Sequence, residues 1–349
     1  MALHKLPIHA ITTSTITRAS LGAMLIGSLG STGCLFGGYD GVFIESEDVS
    51  IDVPEFSEAF RAEGDVRGDA WWLINQTAAD VNGWVGAVVE TTGYVVEFLN
   101  NHRETSRDGQ WRVYGPFDDN DGDVAWMVKI EGSDLDTTFE FYVAEGGSTD
   151  TSEFVLLTEG DLNVQGDLRT GSMHIDFDTY EAFPALDTTA LWSYAGDLTI
   201  EFERDVASGE KTIGIQFDEF VAERTGYLED DTFSSDETYE YHKAGDGAGS
   251  FHLALMGEWD TYPYTWSGPE QERMQLDMVW KSDSSGRARA GVTEVDGVGD
   301  MKYGDAQLDE CFNTQGYLTW RGLTEAYAAE VPGYAFGDEA TCVVPADGL

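Results

Sequence analysis

The residues best suited to cation chemistry sit in one loop, Asp118-Asp119-Asn120-Asp121-Gly122-Asp123. Oxygen ligands this close together suit Ca²⁺, and Asp119, Asp121 and Asp123 are the candidate ligands. The loop departs from the EF-hand pattern. With Gly122 set at the invariant glycine, Phe117 stands first and Val128 last, where Asp and Glu belong. A solvated Asp-rich turn accounts for the same residues, and Asp230-Asp231 is a weaker case of the same kind. His174, His242 and His252 fall in strand-like stretches, on or near the polar face. They become neighbours only if pairing and register align them. No His-Glu-x-x-His, Gly-x-Ser-x-Gly or Gly-rich phosphate loop with Lys is present. Paired carboxylates carry no signal in a chain with 65 acidic residues. Trp259, Tyr262, Tyr264 and Trp266, in one Pro-containing loop, are candidates for binding a sugar or peptide, as are Trp71 and Trp72. Aromatic core packing explains them equally. No cofactor is expected beyond Ca²⁺.

The charge balance is extreme: 19 Lys and Arg against 65 Asp and Glu, a net charge of −46. Such a surface repels phosphates and anionic lipid, which argues against nucleic-acid partners. It suits cations, basic partners or a salty medium that screens self-repulsion.

The first residues read as a targeting segment. Lys5 and Arg18 precede a short apolar run, 21–29, with no acid before it, and then come Gly30, Ser31, Thr32, Gly33 and Cys34. The run is too short to span a bilayer and fits a secretory signal over residues 1–33. The ending Ser31-Thr32-Gly33-Cys34 resembles the cleavage box of bacterial lipoproteins, with Ser31 where that class prefers Leu. The resemblance implies that Cys34 becomes the lipid-bearing first residue, so that the membrane is a partner through its acyl chains. Leu35, rather than Asp, implies the outer membrane, with the body periplasmic or surface-exposed. Ordinary secretion with cleavage nearby is the alternative. The remaining cysteines, Cys311 and Cys342, are expected to form a disulfide in an oxidising compartment. That bond would contribute about 3–4 kcal/mol in the chain-entropy model. Free thiols and a metal site are the alternatives.

These groups must be held by elements that the hydropathy pattern marks. Ile74, Ala78, Val81, Val85, Val88, Val95 and Leu99 recur at helical spacing, and Trp84, Ala87, Tyr94 and Phe98 widen the stripe. The pattern predicts one long helix over 69–101, about 50 Å if continuous. Beyond it, period-two alternation marks strands such as 124–131, 139–143, 173–177, 198–202, 213–217, 251–255 and 274–281. Less regular candidates are 110–114, 153–158, 238–243 and 287–293, with a last strand near 317–320. The loop 178–194 is expected to carry a helical turn near 181–186, and 227–237 reads as an acidic loop. Residues 34–52 read as a lipid-attached linker, with a short helical turn in 53–62 after Pro54. A dry sheet face must be covered. The expected fold is therefore α+β and mainly antiparallel: a curved sheet or incomplete barrel of about 10–12 strands wrapped around the N-terminal helix, in a single domain over 53–349.

Several stretches together resemble a family of secreted, acidic bacterial lipoproteins of unknown function. They are Asp80-Val81-Asn82-Gly83, Tyr114-Gly115-Pro116, Ala185-Leu186-Asp187, Ser285-Gly286-Arg287-Ala288-Arg289 and Glu310-Cys311-Phe312, where Trp is more usual at 312. The resemblance implies no activity, ligand or catalytic residue. The shape is similar to lipoprotein-localisation half-barrels at the level of fold, which does not fix function. The functional expectation is a lipid-anchored, non-catalytic binding or structural module, with an apolar ligand if helix and sheet leave a cavity. An envelope hydrolase and a calcium-dependent surface or adhesion protein are the alternatives.

Overall fold

The computed structural model describes residues 44–54, 68–79, 81–82, 99, 102–118, 122–133, 135–183, 192–224, 232–235, 238–257, 272–295 and 303–349. One antiparallel sheet of sixteen strands dominates them. The strands are β1 Ser106–Asp108, β2 Trp111–Asp118, β3 Val124–Ser133, β4 Asp136–Glu145, β5 Val155–Gln165, β6 Leu168–Asp176, β7 Trp192–Asp205 and β8 Lys211–Arg224. They continue as β9 Thr232–Ser235, β10 Thr238–Lys243, β11 Gly249–Gly257, β12 Glu272–Trp280, β13 Gly286–Glu294, β14 Ala306–Phe312, β15 Leu318–Leu323 and β16 Phe336–Gly337. Each pairs with the next in sequence, as short links dictate. Strand β9 is the exception: it lies off the path and pairs with β8 and β11. The sheet is open, ending in the three-residue β1 and the two-residue β16.

The expected period-two faces are present. Phe202, Ile213, Tyr241, Phe251, Met278 and Ala288 are cross-strand neighbours on six adjacent strands, and none is more than 4% exposed. They belong to one core cluster with the inward residues of β3, β4, β12, β13 and β14. Residues 69–79 and 81–82 are helical, and Ala70, Trp71, Leu73, Ile74 and Ala78 join the same cluster. The remainder of the predicted 69–101 helix, apart from Leu99, lies outside the described residues. Among the described residues no helix is long and apolar enough to cross a membrane.

Four differences from the sequence reading have physical causes. Among the described residues the strand count is sixteen rather than 10–12, because β1, β9, β14 and β16 are too short or too charged to display alternation. Strand β9 occupies part of the expected loop 227–237. The helical turn of the 178–194 loop comes earlier, at Phe177–Glu181, where Asp176 caps it by accepting from the Thr179 amide. The described part of the expected linker, 44–52, is no loose tether: Ile44, Val49 and Ile51 are buried in the core, and Ser46–Val49 forms one helical turn.

That strap is held by charge. Arg169, Arg204, Lys211 and Lys243 are successive cross-strand neighbours on β6, β7, β8 and β10. Four like charges in one row repel, and the acidic strap lies on them. Asp48, with no exposed surface, accepts from Arg169 Nη2 at 2.7 Å and Arg204 Nη1 at 3.1 Å. Lys211 Nζ donates to the carbonyls of Glu47 and Ser50, and Asp52 sits 3.3 Å from both Lys211 and Lys243. Burial lowers the Lys211 pKa, against the pull of Asp52. Asn82 closes the arrangement by bonding both backbone groups of Ile51.

The helix start is fixed by a residue some 240 positions away. Glu310, fully buried on β14, accepts from the amides of Asp69, Ala70 and Trp71 at 2.9–3.2 Å. These are the amides that a helix leaves unpaired, and a carboxylate there also meets the positive end of the helix dipole. Arg321 donates to Glu310 at 2.7 Å and lies 3.3 Å from Asp69. Gly68 is required beside it, since a Cβ there would come within 2.3 Å of Glu310 Oε2.

Candidate functional site

The alternate residues of the same strands build the solvated face. Across it runs one straight cross-strand row: Asp161, Ser172, Glu201, Gly214, Glu240, His252, Asp277, Arg289, Asp309. Its first five positions, Asp161 to Glu240, line a groove of about 720 Å³. Gly214 forms the floor: a Cβ there would meet nothing within 4 Å. Glu201 and Glu203 stand on one side, Glu240 and His242 on the other, and Asp161 and Ser172 close one end. The glutamates and Asp161 are exposed. The Ser172 hydroxyl donates to Asp161, so the groove presents four carboxylates and no basic side chain other than His242. Its chemistry is attraction of positive charge, with neutral donors at the rim.

The three histidines are on this face but are not gathered. His242 faces Ser250 while His252 faces Glu240, which makes them diagonal neighbours; His174 is four strands from β11, on β6. Each has its own carboxylate: His174 Nε2 is 3.1 Å from Asp197, His242 Nε2 4.0 Å from Glu210, and His252 Nδ1 2.6 Å from Asp277. The hydrogen bond to Asp277 raises the His252 pKa, burial opposing it. Asp277 also accepts from Gln275, which in turn accepts from Arg273. This network fixes a half-buried imidazole on a rigid strand.

The remaining sequence candidates fare differently. Cys311 and Cys342 are bonded, with Cα atoms 5.6 Å apart. Asp123 is described, but Asp119 and Asp121 lie outside the described residues, among which no group of three His, Cys, Asp or Glu side chains is placed to hold a metal ion. Trp259, Tyr262, Tyr264, Trp266 and Cys34 also lie outside them. Trp71 is a core residue and Trp72 packs against the core. The groove itself was not foreseen. Glu201, Glu203 and Glu240 look in sequence like any outward strand positions, and only register assembles them; the one local signal is Gly214, a missing side chain in a β-branched strand. No protein-family model, curated protein or solved structure matches the chain.

Proposed function

We propose that this chain is a lipid-anchored envelope protein, belonging with the secreted acidic lipoproteins it resembles, and that it works as a non-catalytic binding module for a positively charged partner. The observation that carries the reading is the carboxylate-walled groove over Gly214. Basic groups gain from several carboxylates at once there, and the field of a chain with a net charge of −46 draws them in. A ligand between helix and sheet is less favoured. Along the described helix Ala70, Leu73, Ile74 and Ala78 are each at most 1% exposed, so side chains occupy that seam. In this reading the sheet curls along the whole length of a helix over 69–101. Cys34 carries the acyl chains, and the residues between it and the strap span the gap to the outer membrane.

Calorimetric titration with hexalysine at low ionic strength tests the groove. Binding is expected, weakening as salt rises and lost in Gly214→Trp, which fills open space, and in the Glu201→Gln, Glu240→Gln double variant. Equal binding by all three chains would place the affinity on the surface at large and reject the site. Anchoring is tested separately, by the intact mass of the chain recovered from membranes and by release of Cys34→Ser into the soluble fraction.

A further inference from the structure

The last fifteen residues cross from one side of the sheet to the other. Tyr334 donates to Asp69 at 2.6 Å and lies under the Arg321 guanidinium, on the dry side. Two residues on, β16 pairs with β15, and then Glu339 and Cys342 reach Arg287 and Cys311 on the solvated side. The segment therefore rounds the β15 edge and folds back over the outer face. Little apolar contact holds it: from 335 to 349 only Val344 is buried. Among the described residues, two residues of strand pairing, one ion pair and the disulfide do the rest.

Beneath it lies an unfinished site. The Arg287 side chain is 2% exposed. Its Nη2 donates to Glu339 at 2.8 Å, with Asp309 at 3.4 Å, and its guanidinium carbon is 5.0 Å from the Trp320 ring centroid. Its Nη1 is buried with no hydrogen-bond partner among the described residues. A buried donor without an acceptor is costly, and a guanidinium presents paired donors that match a carboxylate or phosphate. Arg289, bonded to Asp309 at 3.0 Å, adds a second cation beside it. Gly322 lets the Trp320 indole lie flat, since a Cβ there would be 2.7 Å from the ring. On a surface otherwise strongly negative, this is a spot built for an oxyanion.

We propose that residues 335–349 form a disulfide-locked lid over an oxyanion-binding site made by Arg287 and Arg289 beside Trp320. Opening needs a dithiol reductant. One of its thiolates attacks Sγ of Cys342, the half-buried partner. The Cys311–Cys342 bond breaks and a mixed disulfide forms; the second thiolate then displaces Cys342. The reductant leaves as its own disulfide, and both cysteines leave as thiols, having gained two electrons and two protons. Glu339 then moves off with the tail, and an external carboxylate or phosphate takes its place on Arg287.

The test uses the full chain, oxidised and after treatment with dithiothreitol. Hydrogen exchange across 335–349 and the rate of phenylglyoxal modification at Arg287, mapped by mass spectrometry, should both rise by about tenfold or more on reduction, while protection in β11–β13 stays unchanged. Inorganic phosphate or acetate, added separately, should slow the modification of Arg287 in the reduced chain, and the stronger of the two identifies a phosphoryl or a carboxylate ligand. Cys342→Ser should behave as the reduced chain does without any reductant. A tail equally protected after reduction overturns the lid; an Arg287 that neither anion shields overturns the site.

Discussion

At the scale of single residues, the side chains that matter most to this fold are charged and buried. Glu310 caps a helix through three amides and neutralises Arg321. Removing one partner of such a pair leaves the other charged and dry, at a cost of about 3–5 kcal/mol. Glu310→Ala is therefore expected to lower the urea unfolding free energy by about that amount, whereas exposed Glu201→Ala should leave it within about 0.5 kcal/mol. His252 responds to pH. Its bond to Asp277 raises its proton affinity in the folded chain. The stabilisation from that pair is fully present below the unfolded value of about 6.5 and is lost as pH rises through the higher folded value. An NMR titration should place the His252 midpoint above that of an unfolded peptide, and Asp277→Asn should bring it back down.

At the scale of elements, the disulfide closes a separation of 31 residues, for which chain entropy alone would give about 3–4 kcal/mol. The tail is so exposed that it gains freedom in the folded protein too when the bond is cut. Reduction should thus lower the global unfolding free energy by clearly less than that figure, a difference that denaturant titration with and without dithiothreitol measures. The long strands were legible in the sequence because one face is dry and the other wet, as in Leu198, Ile200 and Phe202 against Thr199 and Glu201. Strand β14 was not, because Glu310 stands at an inward position and breaks the apolar alternation. The strap 44–52 reads as a linker for a related reason. Asp48, between exposed Glu47 and the rest of the turn, looks solvated, and the cations that receive it lie more than a hundred residues downstream. Local patterns report which face a residue belongs to; they do not report register, and register is what gathers Glu201, Gly214 and Glu240 into a groove.

At the scale of the whole molecule, basic residues are few and their placement is telling. Arg169, Arg204, Lys211 and Lys243 hold the strap, Arg321 the helix start, and Arg287 the tail through Glu339. Most of the remaining surface repels itself. Screening relieves that repulsion more than it weakens buried pairs, so the thermal midpoint should climb as sodium chloride is raised from about 10 mM to about 1 M, as scanning calorimetry would record. The rims of the sheet carry a further consequence. Its outermost strands have three and two residues, too little backbone for one molecule to zip onto the next. A chain cut after Leu323 would instead offer six unpaired residues of β15 as a template. Such a truncated protein should stack end to end into fibres once salt has quenched its charge, detected by light scattering, while the intact chain stays dispersed.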